Sequence, residues 1–120
     1  NIKINKFLKK ISKGKKNITF THDTILAARD SDCLITDTWF SMGSKKNNIV
    51  EKHFHPYQIN KKIVRLAGSK VVFMHCLPAT RGKEVSSEII DNKDVSIVWD
   101  EAENRLHVQK AILEWCLKKI

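Results

Sequence analysis

One stretch of the chain decides the fold, namely Val71-Val72-Phe73-Met74-His75-Cys76-Leu77-Pro78. Its first half is continuously apolar, as in a strand of a parallel sheet that is covered on both faces. Its second half supplies an imidazole ring, a thiol and a proline, and such groups are typical of a ligand site. The stretch therefore predicts a buried strand that ends at a binding site.

Two further apolar runs lead into polar clusters in the same way. Cys33-Leu34-Ile35-Thr36 precedes Asp37-Thr38-Trp39-Phe40-Ser41-Met42-Gly43, and Ser96-Ile97-Val98 precedes Asp100-Glu101-Ala102-Glu103-Asn104-Arg105. The connections between these predicted strands are long enough for helical crossovers, which need about a dozen residues. We therefore predict an α/β fold with a partial doubly wound parallel sheet. Ligands bind such sheets outside the carboxyl ends of the strands, so the three polar clusters are expected along one edge.

Hydrophobic periodicity and capping residues predict the remaining elements. A short strand is predicted at Ile18-Thr19-Phe20. The predicted helices are an amphipathic segment at 3–12, one capped by Asp23, one interrupted at Pro56 that ends near Gly68, and a short one with Val85 and Ile89 four positions apart.

The last helix is predicted from about Glu103 to Lys119, and one side of it is widely apolar. Its apolar residues are Val108, Ala111, Ile112, Trp115 and Cys116, with Leu106, Leu113 and Leu117 beside them. We expect so wide a face to pack against a large surface. The chain is accordingly divided into a partial α/β domain, residues 1–102, and a terminal helix, residues 103–120.

The composition is that of a globular protein with one core. Apolar residues supply 42% of the 120 residues and charged residues 29%, and no apolar run is long enough to span a bilayer. Cys33, Cys76 and Cys116 are an odd number of cysteines at wide spacings, which does not predict a disulfide framework. We expect a cytoplasmic protein with no membrane partner. Because the chain opens on Asn1, we also expect it to be a piece of a longer one.

A formal net charge of +9 raises the possibility of a nucleic-acid partner. The densest basic cluster consists of Lys9, Lys10, Lys13, Lys15 and Lys16. Only four residues of the chain are arginines, and no aromatic residue is interleaved with these lysines. The cluster therefore favours a solvated helix face, and no nucleic-acid partner is expected.

Simple structural roles compete with functional ones at each candidate residue. Cys76 alone is typical of a small buried hydrophobe, Asp37 of a turn or helix cap, and Arg105 of a surface ion pair. The three tryptophans, Trp39, Trp99 and Trp115, are more typical of packing than of a stacking platform.

A metal site is a weaker possibility. It is suggested by His53, His55 and the pair His75-Cys76. His53 and His55 are two positions apart in a predicted helix, so they point in different directions. No paired cysteines accompany them, and we therefore predict no metal.

Four motifs resemble segments of the ornithine carbamoyltransferases, and they occur in the same order as in that family. They are Asp37-Thr38-Trp39-Phe40-Ser41-Met42-Gly43, Tyr57-Gln58-Ile59-Asn60, His75-Cys76-Leu77-Pro78, and Asp100-Glu101-Ala102-Glu103-Asn104-Arg105-Leu106-His107. The resemblance implies that residues 1–102 are part of a Rossmann-like ornithine-binding domain of the aspartate/ornithine carbamoyltransferase fold. It also implies that the terminal helix would pack against a carbamoyl-phosphate domain that this chain does not contain.

The resemblance also implies a role for each matching residue. The ornithine-binding residues are Asp37, Ser41 and Met42, and the carbamoyl-phosphate-binding residues are Cys76, Leu77 and Arg105. Of these, Cys76 and Arg105 are implied to be catalytic, with Arg105 donating to the carbamoyl oxygen. His75, Pro78 and Gly43 are implied to hold the structure of the site, and the Leu77–Pro78 bond is cis in the family.

The implied reaction transfers a carbamoyl group from carbamoyl phosphate to the side-chain amine of L-ornithine, in arginine biosynthesis. It needs no cofactor, and the full-length enzyme is expected to be a homotrimer. The family's Ser-x-Arg-Thr phosphate-binding segment does not occur in this chain, so the chain alone is expected to be inactive. Three alternatives stay open: a carbamoyltransferase for another amine, a catabolic role, and a non-catalytic remnant or binding module from a split gene.

Overall fold

The structure is a computed structural model, and it describes residues 6–8, 10–11, 13, 17–40, 43 and 48–118 of the chain. Residues 6–8 and 10–11 are helical, and the remainder of the predicted helix at 3–12 lies outside the described residues. The elements that follow are α1 (Thr24–Ala28), β1 (Cys33–Thr36), α2 (Asn48–Phe54), α3 (Lys61–Ala67), β2 (Val72–His75), α4 (Ser87–Ile90) and α5 (Val98–Leu117). A short 3₁₀ helix, His55–Tyr57, lies between α2 and α3.

β1 and β2 form a parallel pair, and this confirms the predicted α/β class. Leu34 of β1 pairs with Phe73 of β2, and Thr36 pairs with His75. The crossover between the strands contains α2 and α3, as a parallel connection requires. The predicted break at Pro56 is confirmed, because Pro56 lies in the 3₁₀ helix and α3 ends just before Gly68.

The predicted third strand at Ser96-Ile97-Val98 is wrong in length. Only Ser96 pairs with β2, as a single parallel bridge to Phe73. The Phe73 N–H donates to Val95 O at 2.7 Å, and the Ile97 N–H donates to Phe73 O at 3.0 Å. The chain then turns into α5 at Val98 instead of near Glu103. Asp100 and Glu101 fall in the first turn of this helix, where negative charge is favourable.

The core lies between the sheet and helices α1, α3 and α4. Its buried apolar residues are Ala28, Leu34, Ile63, Ala67, Val71, Phe73, Val85, Ile89, Ile90 and Val98. Side chains alternate along β2, so that Phe73 and His75 are the buried pair. The alternation that buries Phe73 therefore also buries the imidazole ring of His75.

Side-chain caps fix where two helices begin. Asp23 Oδ1 accepts hydrogen bonds from the N–H groups of Ile25 and Leu26 at the start of α1, as predicted. Asn60 Oδ1 accepts in the same way from the Lys62 and Ile63 N–H groups at 3.0 and 3.3 Å. The Asn60 cap therefore fixes where α3 begins.

Two local predictions are corrected. Residues 18–20 form no strand, and Ile18 and Phe20 are exposed. A strand needs a neighbour for its hydrogen bonds, and no described residue supplies one there. The short helix α4 begins at Ser87, and Val85 instead forms bridges to Ile59 and Arg81.

The terminal helix α5 extends from the core with its apolar side chains uncovered. Val98 is its only buried residue in the described part of the chain. Leu106, Val108, Ile112 and Leu113 are each more than half exposed. The apolar stripe that the sequence predicts to pack is therefore uncovered by the described residues. No helix within the described ranges has the length and apolarity needed to cross a membrane.

Candidate functional site

The register of the sheet places Asp37 next to Cys76. Thr36 and His75 are paired at the carboxyl ends of parallel strands, so the residues that follow leave the sheet side by side. The Cys76 thiol donates to Asp37 Oδ1, with 3.3 Å between Sγ and Oδ1. The same oxygen accepts a hydrogen bond from the Thr38 N–H at 2.7 Å. Asp37 therefore accepts one hydrogen bond from the residue that follows it and one from the thiol at the end of the neighbouring strand.

The two groups shift each other's pKa in opposite directions. The Thr38 N–H and the Cys76 thiol, both of which donate hydrogen bonds to the carboxylate, hold the pKa of Asp37 below its ordinary value. The hydrogen bond to Asp37, together with desolvation, raises the pKa of Cys76 above its ordinary value. Asp37 is thus a carboxylate at neutral pH and Cys76 a neutral thiol. Cys76 is exposed, which excludes the role of a buried small hydrophobe.

The segment after Cys76 turns sharply back towards the strand. The Leu77–Pro78 peptide bond is cis, and Leu77 has a φ of 52°. The Leu77 N–H donates to His75 Nδ1 at 2.9 Å. The Cys76-Leu77 corner is therefore bonded to a ring that is itself completely buried.

Two glutamates that the sequence does not single out contact this corner. Glu101 Oε2 accepts a hydrogen bond from the His75 N–H at 2.9 Å, which joins the first turn of α5 to the end of β2. Glu84 is 1% exposed, and its Oε1 lies 3.6 Å from His75 Nε2. Glu101 is missed because its partner lies 26 positions earlier in the chain. Glu84 is missed because its burial depends on tertiary packing and none of the sequence motifs includes it.

Arg105 lies one turn beyond Glu101 on the same side of α5. Its side chain is exposed and forms no hydrogen bond or ion pair with any described residue. The alternative role of a surface ion pair therefore has no support in the described part of the chain. The structure brings the helix that carries Arg105 to the strand end, but it does not bring the guanidinium into contact with Asp37 or Cys76.

A cleft of about 310 Å³ opens beside Asp37. Its walls are formed by Thr36, Asp37, Thr38, Trp39, Phe54 and Tyr57. Trp39 stacks on Phe54 with 5.9 Å between ring centroids, so Trp39 packs as expected and also lines the cleft. One carboxylate among aromatic walls suits a cation on an apolar chain.

A second cleft, of about 350 Å³, is lined by residues of α1, β1 and α3 and by the segment 57–59. None of the residues that line it has a charged side chain. We therefore place the candidate site at the Asp37 cleft, where the titratable groups converge.

The segment Tyr57-Gln58-Ile59-Asn60 braces the turn that carries Glu84. Gln58 Nε2 donates to Gly82 O at 2.9 Å and to Lys83 O at 2.8 Å. The Ile59 N–H donates to Glu84 O at 2.9 Å. This motif therefore has a structural part in the site, while Tyr57 also lines the cleft.

The comparison with protein families identifies the segment. Residues 2–116 match the Asp/Orn binding domain of aspartate/ornithine carbamoyltransferases. The chain belongs to this family.

Individual carbamoyltransferases resemble the chain over most of its length. The ornithine carbamoyltransferase of Nitrobacter winogradskyi is 55% identical over 95 residues, which cover 79% of this chain and 30% of the relative. That of Methanococcus aeolicus is 50% identical over 108 residues, covering 88% of this chain and 35% of the relative. The crystal structure of the anabolic ornithine carbamoyltransferase of Campylobacter jejuni superposes with a TM-score of 0.78 at 38% identity, covering 96% of this chain and 38% of that one. The chain thus spans about a third of the length of these carbamoyltransferases.

Three of the predicted site residues are consecutive, namely Ser41, Met42 and Gly43. Ser41 and Met42 lie outside the described residues. Gly43 has a φ of 83°, a left-handed conformation that glycine adopts without steric cost.

Among the described residues, no group of three or more His, Cys, Asp or Glu side chains is placed to hold a metal ion.

Proposed function

We propose that the chain forms the ornithine-binding side of an ornithine carbamoyltransferase. The observation that carries this proposal is the contact between Asp37 and Cys76 at the mouth of the aromatic cleft. In this proposal Asp37, Ser41 and Met42 bind L-ornithine. Cys76, Leu77 and Arg105 bind the carbamoyl group, with Cys76 and Arg105 as the catalytic residues.

The charges of the cleft favour a cationic amino acid over an acidic one. Asp37 is ionised at neutral pH because its pKa is lowered, so the ammonium group of an incoming ligand meets a carboxylate. An aspartate substrate would bring a second carboxylate to the same place and be repelled. The aromatic walls formed by Trp39, Phe54 and Tyr57 suit the methylene chain of ornithine.

The reaction needs a neutral amine aimed at a polarised carbonyl. The side-chain ammonium of ornithine first loses one proton to solvent, the neutral nitrogen then attacks the carbonyl carbon of carbamoyl phosphate, a C–N bond forms, and the C–O bond to phosphate breaks. The nitrogen loses a proton to solvent or to the departing phosphate. Citrulline and inorganic phosphate are the products.

The corner residues have distinct parts in this step. The Leu77 carbonyl accepts a hydrogen bond from the carbamoyl amide, and Arg105 donates to the carbamoyl oxygen as negative charge develops there. Cys76 positions the reacting groups as a neutral thiol, because its raised pKa disfavours the nucleophilic thiolate. No covalent enzyme intermediate is therefore proposed.

The rest of the site is proposed to come from protein outside this chain. The uncovered apolar side of α5 is the surface on which a carbamoyl-phosphate domain would pack. The relatives are about three times as long as the matched segment, which leaves room for such a domain. We propose a cytoplasmic homotrimer for the full-length enzyme, acting in arginine biosynthesis, as the anabolic name of the Campylobacter jejuni relative favours.

A citrulline assay of the full-length protein tests this proposal. We expect turnover with carbamoyl phosphate and L-ornithine, and none with L-aspartate. Putrescine and N-acetyl-L-ornithine are the matched alternative amines, and a preference for either would contradict the substrate assignment. Lack of turnover with every amine would favour a non-catalytic remnant. The 120-residue chain alone is expected to give no citrulline, and robust turnover by it would contradict the division of the site.

A further inference from the structure

Behind the Cys76-Leu77 corner lies a buried pair of ionisable side chains. His75 is 0% exposed and Glu84 is 1% exposed, so neither side chain reaches solvent. They pack among apolar residues that include Phe73, Val85 and Val98. Burial of two such groups carries a desolvation cost, and polar groups in a core are tolerated only where they are well partnered. The contacts of the pair therefore define its role.

The ring of His75 acts as a hydrogen-bond acceptor through Nδ1. Its partner is the Leu77 N–H at 2.9 Å, and a backbone N–H can only donate. Nδ1 therefore carries no proton, and the neutral ring holds its proton on Nε2. An imidazolium ring would direct a second N–H at the Leu77 N–H and break this contact.

Nε2 faces Glu84, the one acidic side chain near that end of the ring in the described structure. Nε2 and Glu84 Oε1 are 3.6 Å apart, and Nε2 has no closer partner among the described residues. This separation is longer than an ordinary hydrogen bond, but the carboxylate still favours a proton on the nitrogen that faces it. The same oxygen of Glu84 accepts a hydrogen bond from the Thr80 N–H.

Glu84 consequently holds the turn after β2 at two points. It bonds directly to the Thr80 N–H and acts on the Leu77 N–H through the His75 ring. Leu77, between these points, has a φ of 52°, which is unfavourable for a residue with a Cβ atom. Such a conformation persists only where the surroundings fix it.

We propose that Glu84 is a positioning residue for carbamoyl transfer, acting through the Nε2–H tautomer of His75. It keeps Nδ1 free to accept the Leu77 N–H, and this fixes the direction of the Leu77 carbonyl and of the Cys76 thiol. The proposal rests on the function proposed above, in which Leu77 and Cys76 contact the carbamoyl group. Glu84 itself contacts no substrate.

The other charged groups at the corner act elsewhere. Glu101 accepts the His75 main-chain N–H rather than a ring proton. Asp37 bonds to the thiol of Cys76, on the exposed side of the turn. Neither of them is bonded to a ring nitrogen, so in the described structure the Leu77 N–H at Nδ1 and the Glu84 carboxylate facing Nε2 are the groups that favour the Nε2–H tautomer.

Three variants of the full-length protein test the proposal. Glu84→Ala removes the acceptor, Glu84→Gln keeps an acceptor oxygen of the same reach without the charge, and Glu88→Ala is a matched control on the exposed side of α4. Nitrogen NMR of isotope-labelled histidine, without substrate, reports which ring nitrogen of His75 is protonated. The His75→Gln variant assigns the signal. Steady-state kinetics give kcat and the KM for ornithine.

The expected result is an unprotonated Nδ1 in the wild-type protein and in Glu84→Gln. In Glu84→Ala we expect a mixture of tautomers and a kcat lower by about 10- to 100-fold, because a small misplacement of reacting groups is costly. The KM for ornithine is expected to change by less than about threefold, because Asp37 is untouched. Glu84→Gln should restore most of kcat, and Glu88→Ala should resemble the wild type.

A protonated Nδ1 in the wild-type protein would overturn the proposal, and so would a folded Glu84→Ala with unchanged kcat. If Glu84→Ala does not fold, the wild-type tautomer and the kcat of Glu84→Gln decide. Failure of the wild-type protein to form citrulline would instead reject the proposed function. The tautomer measurement distinguishes these failures because it needs no turnover.

Discussion

Cys76 Sγ lies 3.3 Å from Asp37 Oδ1, although the two residues are 39 positions apart in the chain. The parallel register of β1 and β2 produces this contact, because Thr36 and His75 are direct partners. The thiol donates and the carboxylate accepts. At neutral pH the proton of this pair is therefore bound to the sulfur of Cys76, and the negative charge is on the carboxylate of Asp37.

This pair predicts an unusually slow reaction of Cys76 with alkylating reagents. The raised pKa of the thiol reduces the fraction of thiolate, which is the reacting form. Asp37→Asn removes the negative charge, so the pKa of Cys76 falls. At about pH 8, near the ordinary pKa of a thiol, the alkylation rate is expected to rise by about threefold or more. The measurement is iodoacetamide labelling of a chain that carries Cys33→Ser and Cys116→Ser.

The pH dependence of the alkylation rate tests whether the Asp37 carboxylate raises the pKa of Cys76. Cys76 in the unaltered pair should reach its half-maximal rate at a higher pH than in Asp37→Asn. Equal pH profiles in the two proteins would contradict the assigned role of the carboxylate. Asp91→Asn is a matched control, because Asp91 is exposed and pairs with Arg81.

Asp37→Asn is also expected to weaken ornithine binding in the full-length protein. A hydrogen bond to a charged group contributes about 1.5–3 kcal/mol, which corresponds to about a 10- to 100-fold increase in KM for ornithine. Asp91→Asn should leave this KM unchanged. The measurement is initial-rate kinetics at saturating carbamoyl phosphate, and an unchanged KM in Asp37→Asn would remove Asp37 from the ornithine site.

The sequence predicts the Asp37 and Cys76 pairing because both residues directly follow apolar runs. Parallel strands end at the same edge, so two strand ends are enough to bring these side chains together. The prediction of secondary structure fails where a short apolar segment is compatible with both a strand and the start of a helix. Ile97 and Val98 are β-branched and read as a strand, yet Val98 begins α5 because the acidic residues that follow suit a helix start.

Glu84 and Glu101 could not be assigned from the pattern of apolar residues. Glu101 reaches the N–H of a residue 26 positions earlier, and no local spacing encodes that contact. Glu84 is buried because the segment at 57–60 holds its turn against the sheet, through Gln58 and Ile59. Such partners depend on tertiary packing, which periodicity does not report.

Removal of the Glu101 carboxylate is expected to destabilise the fold. Glu101→Ala leaves the buried His75 N–H without its acceptor, at a cost of about 1–3 kcal/mol in the free energy of unfolding. Glu101→Gln keeps an acceptor and should lose less than about 1 kcal/mol. Glu103→Ala, at an exposed position on α5, should change stability by less than about 0.5 kcal/mol. Urea denaturation measures all three, and equal midpoints for Glu101→Ala and Glu103→Ala would contradict the contact.

Removal of the Asn60 cap at the start of α3 is expected to cost less stability than removal of the Glu101 carboxylate. Asn60→Ala removes the acceptor of the Lys62 and Ile63 N–H groups, and we expect a loss of about 1 kcal/mol. Asn60→Asp keeps the acceptor oxygen and should remain close to the wild type. Thermal unfolding of the two variants checks this, and equal unfolding temperatures for Asn60→Ala and Asn60→Asp would contradict the cap.

The uncovered side of α5 yields a prediction that depends on context. Leu113 is 62% exposed in the structure, so Leu113→Asp in the 120-residue chain should change stability by less than about 0.5 kcal/mol. If a second domain covers α5 in the full-length protein, the same leucine is buried there. Loss of its burial then costs about 1.5–3 kcal/mol, and the unpaired carboxylate adds to that cost. Gln109→Asp, also at an exposed position of α5, controls for the change of charge, because it too adds one negative charge. Denaturation of both variants in both proteins makes the comparison, and a Leu113→Asp effect that is equally small in the two would exclude a domain packed on this part of the helix.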